Sequence, residues 1–499
     1  MAALLLCAAA GSARAQESGD PPVSWVIENA AIARQSRAVA ADASFGPVLV
    51  IEDIVVEGNE STTERLIRRA LPLRAGEVLR AGDPRFQKAR FKLLATGYFR
   101  SVELDLRKGS QRGNVLLIVK VTERGTVVLN SLYFGTSTSS PWWAGVDFSE
   151  RNLFGTGLGL GGGLVYAATE LDDQKNHIEG SDDQLAMIVR LDDSSLRGTP
   201  LGIHGAFSYS NASEPYRVSG DPNRDANAID FRALSYTRVG FKGGISFDVT
   251  PLSVLTVDGR VEWVDASVPL ASTRELPDGS LVPIDIGLEP GASRVVTVSL
   301  GFDRDTRTDP VLPVDGERFV VFGEFGATWM GGSYNAAVAL TRYQHWWAID
   351  AGQDKKHVLS VHILGGLVLG QAARFDRLHA SDMNRLLTPR ALGLVVSNTS
   401  SPDLLGTSTA DVTYGEVGGS VVVEYSYQLF RNRRHVYGGD LFVGAGLWGL
   451  ADTRDLQVRD GPLYRALPVD LMLDAGLRID TELGIFELTF ANALGRLPL

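Results

Sequence analysis

One short mixed segment, followed by a long run of amphipathic strands, is the feature that most constrains how this chain can fold. Residues 47–124 predict a small β-α-α-β-β domain, because a hydrophobic run precedes two segments of helical spacing and two alternating runs. From residue 125 to residue 499 the sequence alternates apolar and polar residues without further helical periodicity. The chain is therefore predicted to contain one small mixed module and one large β domain.

Local signals set the expected boundaries within the small module. Its first strand, 48–57, ends at the turn pair Gly58-Asn59, where a positive φ is readily adopted. Ser61 or Thr62 is expected to cap a first helix that ends at Leu71, with Glu64 closing a capping box. The remaining elements are predicted as a helix over 84–96 and strands over 102–106 and 114–121.

Several segments of the large domain place apolar and polar residues on opposite faces of a strand. In residues 421–428 one face carries Val421, Val423, Tyr425 and Tyr427, and the other carries Val422, Glu424, Ser426 and Gln428. The segments 294–302 and 471–480 show the same pattern. A transmembrane β-barrel requires this pattern, because its outer face meets lipid and its inner face meets water.

A β-sandwich would produce the same alternation with the apolar face turned inward. Two observations favour the barrel. The pairs Trp142-Trp143 and Trp346-Trp347, with Trp329 and Trp448, lie near expected strand ends, as in an interfacial aromatic girdle. The strand-like segments also continue for too long to form one sandwich. About fifteen strands can be picked out, and about sixteen are expected because bacterial barrels use even numbers.

The amino-terminal residues and the composition further limit the class of protein to which this chain can belong. Residues 1–15 look like a secretory signal that contains Cys7, the only cysteine, and residues 16–46 read as a linker. No apolar run is long enough to predict a transmembrane helix. The net charge of −11 argues against nucleic acid as a partner, which needs a basic surface.

The small module resembles a POTRA domain, the polypeptide-transport module of outer-membrane assembly proteins. The resemblance is carried by the order of Ile51, Ile54, Glu57-Gly58-Asn59, Gly76-Glu77, Gly97-Tyr98-Phe99, Val102, Val119, Val121 and Glu123-Arg124. Gly58, Asn59, Gly97, Tyr98 and Phe99 are the motif residues of this module.

The large domain is similar to the barrels of the BamA/TamA-type superfamily. Asn152-Leu153-Phe154-Gly155-Thr156-Gly157 is similar to an element early in those barrels. A second element resembles a turn found midway along them and contains Asp305, Arg307, Asp309, Pro313 and Gly316. A simpler interpretation, tight turns made by Gly, Pro and Asp, applies to both elements.

The resemblance also implies a long loop that folds back into the barrel lumen and presents an arginine to acidic residues of the wall. The longest interruption between strands, residues 372–416, offers Arg390 and Gly393, and Glu424 on the next strand is a candidate partner. A solvated loop arginine is an equally good interpretation of Arg390. The closing strand carries Phe486, Leu488 and Phe490 and is expected to stop near residues 492–494, because Pro498 cannot donate to a ladder.

No catalytic or cofactor chemistry is predicted. Gly157-Leu158-Gly159-Leu160-Gly161-Gly162 has the spacing of a dinucleotide-binding loop, but strand-like residues follow where a helix would be needed. No Ser-His-Asp group, carboxylate pair, metal site or calcium loop can be defended, so an enzyme is not expected.

The resemblance implies a protein of the bacterial outer membrane, with its POTRA domain in the periplasm and a barrel of about sixteen antiparallel strands. Its expected partners are unfolded outer-membrane or secreted polypeptides, the lipid bilayer and periplasmic accessory proteins. The implied function is insertion or translocation of client polypeptides, with the seam between first and last strands acting as a lateral gate. The alternative is a passive barrel or surface antigen whose POTRA domain only docks a periplasmic partner.

Overall fold

The structure is a computed structural model of the chain. It describes residues 48–80, 83, 85–96, 98–135, 142–168, 182–193, 199–219, 231–250, 252–269, 272–275, 278–307, 312–350, 356–381, 384–389, 413–431, 436–451, 469–481 and 484–496. The chain divides into two compact units by its contacts. The described parts of the first unit are 48–57, 71–91 and 102–120, and those of the second are 58–70, 92–101 and 121–496, with the gaps given above.

Residues 49–123 form a four-stranded sheet and two helices. The elements are β1 (Leu49–Glu57), α1 (Glu64–Ala70), β2 (Val78–Leu79), α2 (Arg85–Ala95), β3 (Phe99–Lys108) and β4 (Asn114–Glu123). The strand order is β2-β1-β4-β3, in which β1 pairs parallel with β4 and antiparallel with β2. Ile51, Leu79, Leu117 and Val119 are fully buried, as the predicted apolar runs require.

Two details of the module differ from the expectation. A two-residue strand, β2, lies between the helices, because the backbone of Glu77 and Gly76 pairs with Ile51 after the first helix ends. Such a short strand has too few residues to show a period of two. The predicted capping box is also absent, because Glu64 pairs with Arg68 one helical turn later. The carboxylate of Glu123 instead accepts hydrogen bonds from the backbone amides that precede the helix.

Fifteen strands of the described chain form a closed barrel, one fewer than the approximate number expected. They are β5 (Val127–Gly135), β6 (Trp142–Leu153), β7 (Leu158–Ala168), β8 (Gln184–Asp193), β9 (Leu201–Arg217), β10 (Phe231–Thr250), β11 (Ser253–Ala266), β14 (Gly291–Asp305), β15 (Gly316–Gly326), β16 (Asn335–Ala348), β17 (His357–Gln371), β21 (Val417–Arg431), β22 (Val436–Ala451), β23 (Val469–Thr481) and β24 (Gly484–Arg496). Consecutive barrel strands pair antiparallel throughout.

Five short strands lie in two connections of the barrel. β12 (Thr273–Glu275) and β13 (Leu281–Pro283) form a hairpin between β11 and β14. β18 (Leu378–Ser381), β19 (Asn384–Pro389) and β20 (Thr413–Gly415) form a small sheet between β17 and β21. Among the described residues, no helix is long and apolar enough to cross a membrane.

The predicted faces of the barrel strands are confirmed. On β21 the outward residues Val421, Val423, Tyr425 and Tyr427 are each more than a third exposed, whereas Val422, Glu424, Ser426 and Gln428 are buried.

Only some of the tryptophans lie where the predicted interfacial aromatic girdle would place them. Trp142, Trp329 and Trp347 are exposed on the outside, but Trp346 is buried and Trp448 packs against an interior cluster. Adjacent residues of a strand point to opposite faces, so a tryptophan pair cannot place both rings in lipid.

The barrel closes between its last strand and its first strand. β24 pairs with β5 in parallel, through Gly484 and Leu129. A closed sheet with an odd number of strands must contain a parallel pair, because antiparallel neighbours alternate in direction. Barrels of mitochondrial channels also contain an odd number of strands, so the closure has a precedent outside bacteria.

Candidate functional site

A short segment of the loop after β17 lies buried against the inner wall of the barrel. Arg374–Asp376 forms one turn of 3-10 helix in which all three residues are buried. We call the charged residues of this contact the lumenal clamp; they are Glu214, Arg238, Arg260, Glu262, Glu324, Arg374 and Asp376. The wall residues come from β9, β10, β11 and β15, so the loop is held by four strands.

Arg260 is the centre of the lumenal clamp. Its guanidinium donates to both carboxylate oxygens of Asp376, at 3.0 and 2.7 Å. It also donates to Glu324 at 2.6 Å and to Glu262 at 3.2 Å. The planar guanidinium can serve three carboxylates at once because its donors point in fixed, different directions.

The loop also contributes a cation to the wall. Arg374 donates to Glu214, whose side chain is fully buried. Glu214 accepts two further hydrogen bonds, from the hydroxyls of Tyr236 at 2.8 Å and Tyr414 at 2.6 Å. Among the described residues, one charged and two neutral donors therefore satisfy this carboxylate, as a buried charge requires.

An aromatic ring stands between the two halves of the lumenal clamp. The guanidinium of Arg238, which is paired with Glu262, lies 3.8 Å from the ring centre of Phe375. The ring of Phe375 is also 5.9 Å from that of Tyr236. The cation–π contact, which lies in a desolvated place, adds to the stabilisation that the ion pairs provide. The arrangement can fix the loop against the wall, and nothing in it is typical of a catalytic centre.

The predicted partner of the lumenal arginine, Glu424, binds a different arginine. Arg390 and Gly393 lie outside the described residues. Glu424 is buried on the inner face of β21, where it accepts two hydrogen bonds from Arg478 of β23, at 2.6 and 2.7 Å. A lumenal role for Arg390 therefore stays a prediction, and Glu424 already has an arginine partner.

Sequence reasoning missed Arg374 and Asp376, although two signals were available. An arginine precedes an aromatic residue at Arg374-Phe375, early in the same loop. Charged residues also recur at alternate positions of two neighbouring strands: Arg238 and Lys242 on β10, and Asp258, Arg260 and Glu262 on β11. Buried charges on an inner wall require partners, so such a row predicts an inserted loop of mixed charge.

The predicted mid-barrel turn lies between β14 and β15. The guanidinium of Arg307 forms a two-pronged pair with Asp305, at 2.9 and 2.6 Å. Gly316 has a φ of +106°, and a Cβ at this position would collide with Thr306, so glycine is required. Pro313 lies in the irregular part of this turn, and Asp309 lies outside the described residues.

The POTRA motif residues lie around the start of α1 and of β3. Gly58 has a φ of +88°, and the side-chain amide of Asn59 donates to the carbonyl of Thr62 at 3.0 Å. Tyr98 and Phe99 are buried. Gly97 lies outside the described residues.

Within the second unit, the start of α1 is bonded to the turn between β6 and β7. The amide of Thr63 donates to the carbonyl of Gly155 at 3.0 Å, and the side-chain amide of Asn152 donates to the hydroxyl of Thr62 at 2.9 Å. The hydroxyl of Tyr98 donates to the carbonyl of Gly157 at 3.4 Å. Two motifs that the sequence presents separately, 58–63 with 98–99 and 152–157, therefore meet in space.

Glu123, the last residue of β4, holds the start of α1. Its carboxylate accepts the backbone amides of Ser61 at 2.8 Å and Thr62 at 2.6 Å. Partial burial alone would raise the pKa of Glu123, but the hydrogen bonds from Thr62 and Ser61 outweigh it and lower this pKa. The side chain therefore acts as the carboxylate cap that was assigned to Glu64.

The closing strand is longer than expected. β24 extends to Arg496, which pairs with Asp470 of β23, so the expected stop near residues 492–494 is wrong. Phe486 and Leu488 are exposed on the outer face, and Phe490 lies in the same strand. Pairing of β24 with β23 is described from Gly484 to Arg496. Pairing of β24 with β5 is described at Gly484 and Leu129.

Comparison with known proteins agrees with this architecture. The family model described as "POTRA: Surface antigen variable number repeat" matches residues 49–124. The outer membrane protein assembly factor BamA of Nitratidesulfovibrio vulgaris is 24% identical over 366 residues, which cover 71% of this chain and 40% of that protein. A putative outer membrane protein assembly factor of Treponema pallidum is 28% identical over 114 residues, or 21% of this chain and 13% of that protein. The chain thus matches less than half the length of these curated relatives.

Solved structures share the fold at low sequence identity. BamA from Haemophilus ducreyi lacking POTRA domains 1-3 has a TM-score of 0.50 at 14% identity, with 90% of this chain and 82% of that chain covered. CdiB from Escherichia coli has a TM-score of 0.56 at 12% identity, with 90% and 73% covered. Residues 49–124 thus match the POTRA family model, and the chain shares its fold with the BamA and CdiB structures.

Proposed function

We propose that this protein inserts client polypeptides into the outer membrane or moves them across it, and that the seam between β24 and β5 opens sideways to receive a client strand. Its POTRA domain would capture the unfolded client by adding a strand to an open sheet edge. β3 is the outermost strand of that sheet, and β2 covers only the first residues of β1. No nucleotide or cofactor is part of the proposal.

The observation that carries the proposal is the pairing at the seam. The parallel register of β24 and β5 is described at Gly484 and Leu129. By contrast, β9 and β10 pair from Arg217-Phe231 to Leu201-Phe247 without a break. Each ladder hydrogen bond contributes about 1 kcal/mol net, so the seam is the junction that opens at the lowest cost.

A cysteine pair across the seam tests the gate. Leu129→Cys and Gly484→Cys place two thiols at the paired position, in a Cys7→Ala background that removes the chain's only other cysteine. A short bis-methanethiosulfonate crosslinker, which forms a disulfide with each cysteine and releases sulfinate, or direct oxidation, then locks β24 to β5. We expect the locked protein to lose its ability to restore client levels in the outer membrane of depleted cells, and reduction of the disulfide to restore it.

Leu129→Cys with Phe148→Cys is the matched control. These residues pair on β5 and β6, in a hairpin that the proposed opening leaves intact. Locking this pair should leave function unchanged. If the seam-locked protein works as well as this control, the lateral gate is wrong and the passive barrel becomes the better interpretation.

Depletion of the protein followed by proteomics of the outer membrane identifies the clients. Loss of many barrels would indicate general assembly, and loss of one protein would indicate a dedicated client. Unchanged outer-membrane composition would contradict client handling and favour a POTRA domain that only docks a periplasmic partner.

A further inference from the structure

Phe154, at the tip of the turn between β6 and β7, has two properties that its own chain does not explain. Its side chain is 87% exposed, the largest exposure of any large apolar residue in the described chain. Its φ is +54°, and among the described residues it is the only non-glycine residue with a positive φ. An exposed ring in a disfavoured backbone conformation points to a contact outside the chain.

The geometry of the turn favours a different residue at this position. The amide of Gly155 donates to the carbonyl of Asn152 at 2.9 Å, and that of Thr156 donates to the carbonyl of Leu153 at 3.2 Å. Phe154 and Gly155 are the central residues of the second of these turns, and both have positive φ. Hairpin turns of this kind prefer Asn, Asp or Gly at the first central position. Phenylalanine therefore does not serve the folding of the turn.

The turn lies at the periplasmic end of the barrel. β5 follows the POTRA domain directly, so β5 starts on the periplasmic side and the next turn on that side joins β6 to β7. The outer face of this region is apolar: Val127, Phe148 and Leu164 are all exposed. Aromatic side chains concentrate where such an apolar wall meets the lipid headgroups.

We propose that Phe154 inserts into the headgroup region of the inner leaflet and anchors this turn to phospholipid. The ring would gain apolar burial in the membrane that it lacks within the chain, which offsets the disfavoured backbone. Because Thr62 and Thr63 are bonded to the same turn, the anchor also holds the start of α1 at the membrane surface, beside the first strand of the barrel. This role does not depend on whether clients pass through the seam.

A fluorescent probe measures the depth of this position. Phe154→Cys and, as a control, Thr156→Cys are each labelled with a nitrobenzoxadiazole dye in the full chain carrying Cys7→Ala. The proteins are placed in vesicles of phosphatidylethanolamine and phosphatidylglycerol that contain lipids with a nitroxide near the headgroup. The dye at 154 should be quenched strongly by the headgroup nitroxide, and the dye at the exposed residue 156 should be quenched much less. Equal quenching at both positions, or quenching at 154 by aqueous iodide instead, would overturn the anchor.

Two further variants separate the lipid contact from folding and from protein contacts. Phe154→Asn suits the turn, so we expect a correctly folded barrel whose α1 amides exchange faster in vesicles, whereas Phe154→Trp should keep the slow exchange. Benzoylphenylalanine at position 154 should give phospholipid adducts after irradiation of cells. Adducts with polypeptides only, or unchanged exchange in Phe154→Asn, would refute lipid as the occupant.

Discussion

Two parts of the same barrel wall are held together very differently. The wall formed by β9, β10, β11, β14 and β15 has long ladders, and the lumenal clamp ties a loop across it. The seam between β24 and β5 is described by one parallel residue pair, and no residue of the clamp lies on either of its described strands. The lumenal clamp therefore stabilises strands that are well separated, around the closed sheet, from the proposed gate.

The clamp and the seam also differ in the interactions that hold them, which are buried ion pairs in the clamp and ladder hydrogen bonds in the seam. Each ladder hydrogen bond contributes about 1 kcal/mol net, so the loss of one bond changes a ladder little. The clamp places three arginines and four carboxylates out of water, where removing one partner leaves another charge uncompensated. The clamped wall is therefore expected to respond to single substitutions far more strongly than the seam.

The largest effect is expected from Arg260→Ala. Asp376, Glu324 and Glu262 would lose their shared cation in a buried place, and the folded barrel should lose about 3–5 kcal/mol. The measurement is the urea concentration at which the compact band of unheated samples disappears on gels. Arg294→Ala, which removes an exposed arginine from β14, is the control and should change little. Equal midpoints for both variants would contradict a special role of the clamped wall.

The next largest effect is expected on the protease resistance of the loop between β17 and β21. Arg374→Ala removes the ion pair between the loop and Glu214, so the segment that contains β18, β19 and β20 should be cleaved by external protease about tenfold faster or more. The measurement is the rate of cleavage in intact outer membranes.

Arg390→Ala in the same assay tests the predicted second contact of the loop. Faster cleavage near Thr399 would support a lumenal Arg390. Unchanged cleavage and unchanged activity would identify Arg390 as a surface residue, and would leave Arg374 as the arginine that secures the loop.

The sequence predicted those parts of the fold that depend on near neighbours along the chain. A period of two assigns the faces of β21 because side chains alternate strictly along a strand. The glycine at 316 was predictable because the turn needs a positive φ. The POTRA motif was predictable because its order of strands and turns lies within one short segment.

Local patterns could indicate an inserted charged loop, but they could not assign the individual partners within the lumenal clamp. Arg260 and Asp376 are 116 residues apart, and Tyr414 and Glu214 are 200 residues apart. Their meeting depends on the path of a loop that carries no periodic signal. The local patterns themselves indicated about fifteen strands, which is the number in the described barrel, and the expectation of about sixteen came from the rule that bacterial barrels use even numbers.

An intermediate effect is expected from Arg478→Ala, which lies on β23 between the clamped wall and the seam. Glu424 would lose two hydrogen bonds and Phe442 would lose the guanidinium 3.9 Å from its ring. Arg478 is partly exposed, so we expect a loss of about 2 kcal/mol, smaller than for Arg260→Ala. Arg478→Lys should recover only part of this loss, because an ammonium cannot make the two-pronged bond. A loss as large as that of Arg260→Ala would mean that the wall near the seam is as firmly held as the clamped wall.

The smallest effect concerns Glu123 in the POTRA module, outside both walls. Its pKa is lowered in the folded protein, so its stabilising contribution is present above the unfolded value of about 4.3 and is lost as the pH falls through the folded value. At pH 7, Glu123→Gln should weaken the start of α1 by about 1 kcal/mol, as the loss of a helix cap does. The measurement is the exchange rate of the Ser61 and Thr62 amides in the full chain, which should rise in the variant at pH 7 and converge with the wild type in acid. Glu60→Gln, at an exposed neighbouring carboxylate, is the control and should leave both rates unchanged. A wild-type protection that persists unchanged in acid would show that the charge of Glu123 is not what holds the helix start, and that the barrel turn bonded to Thr62 and Thr63 holds it instead.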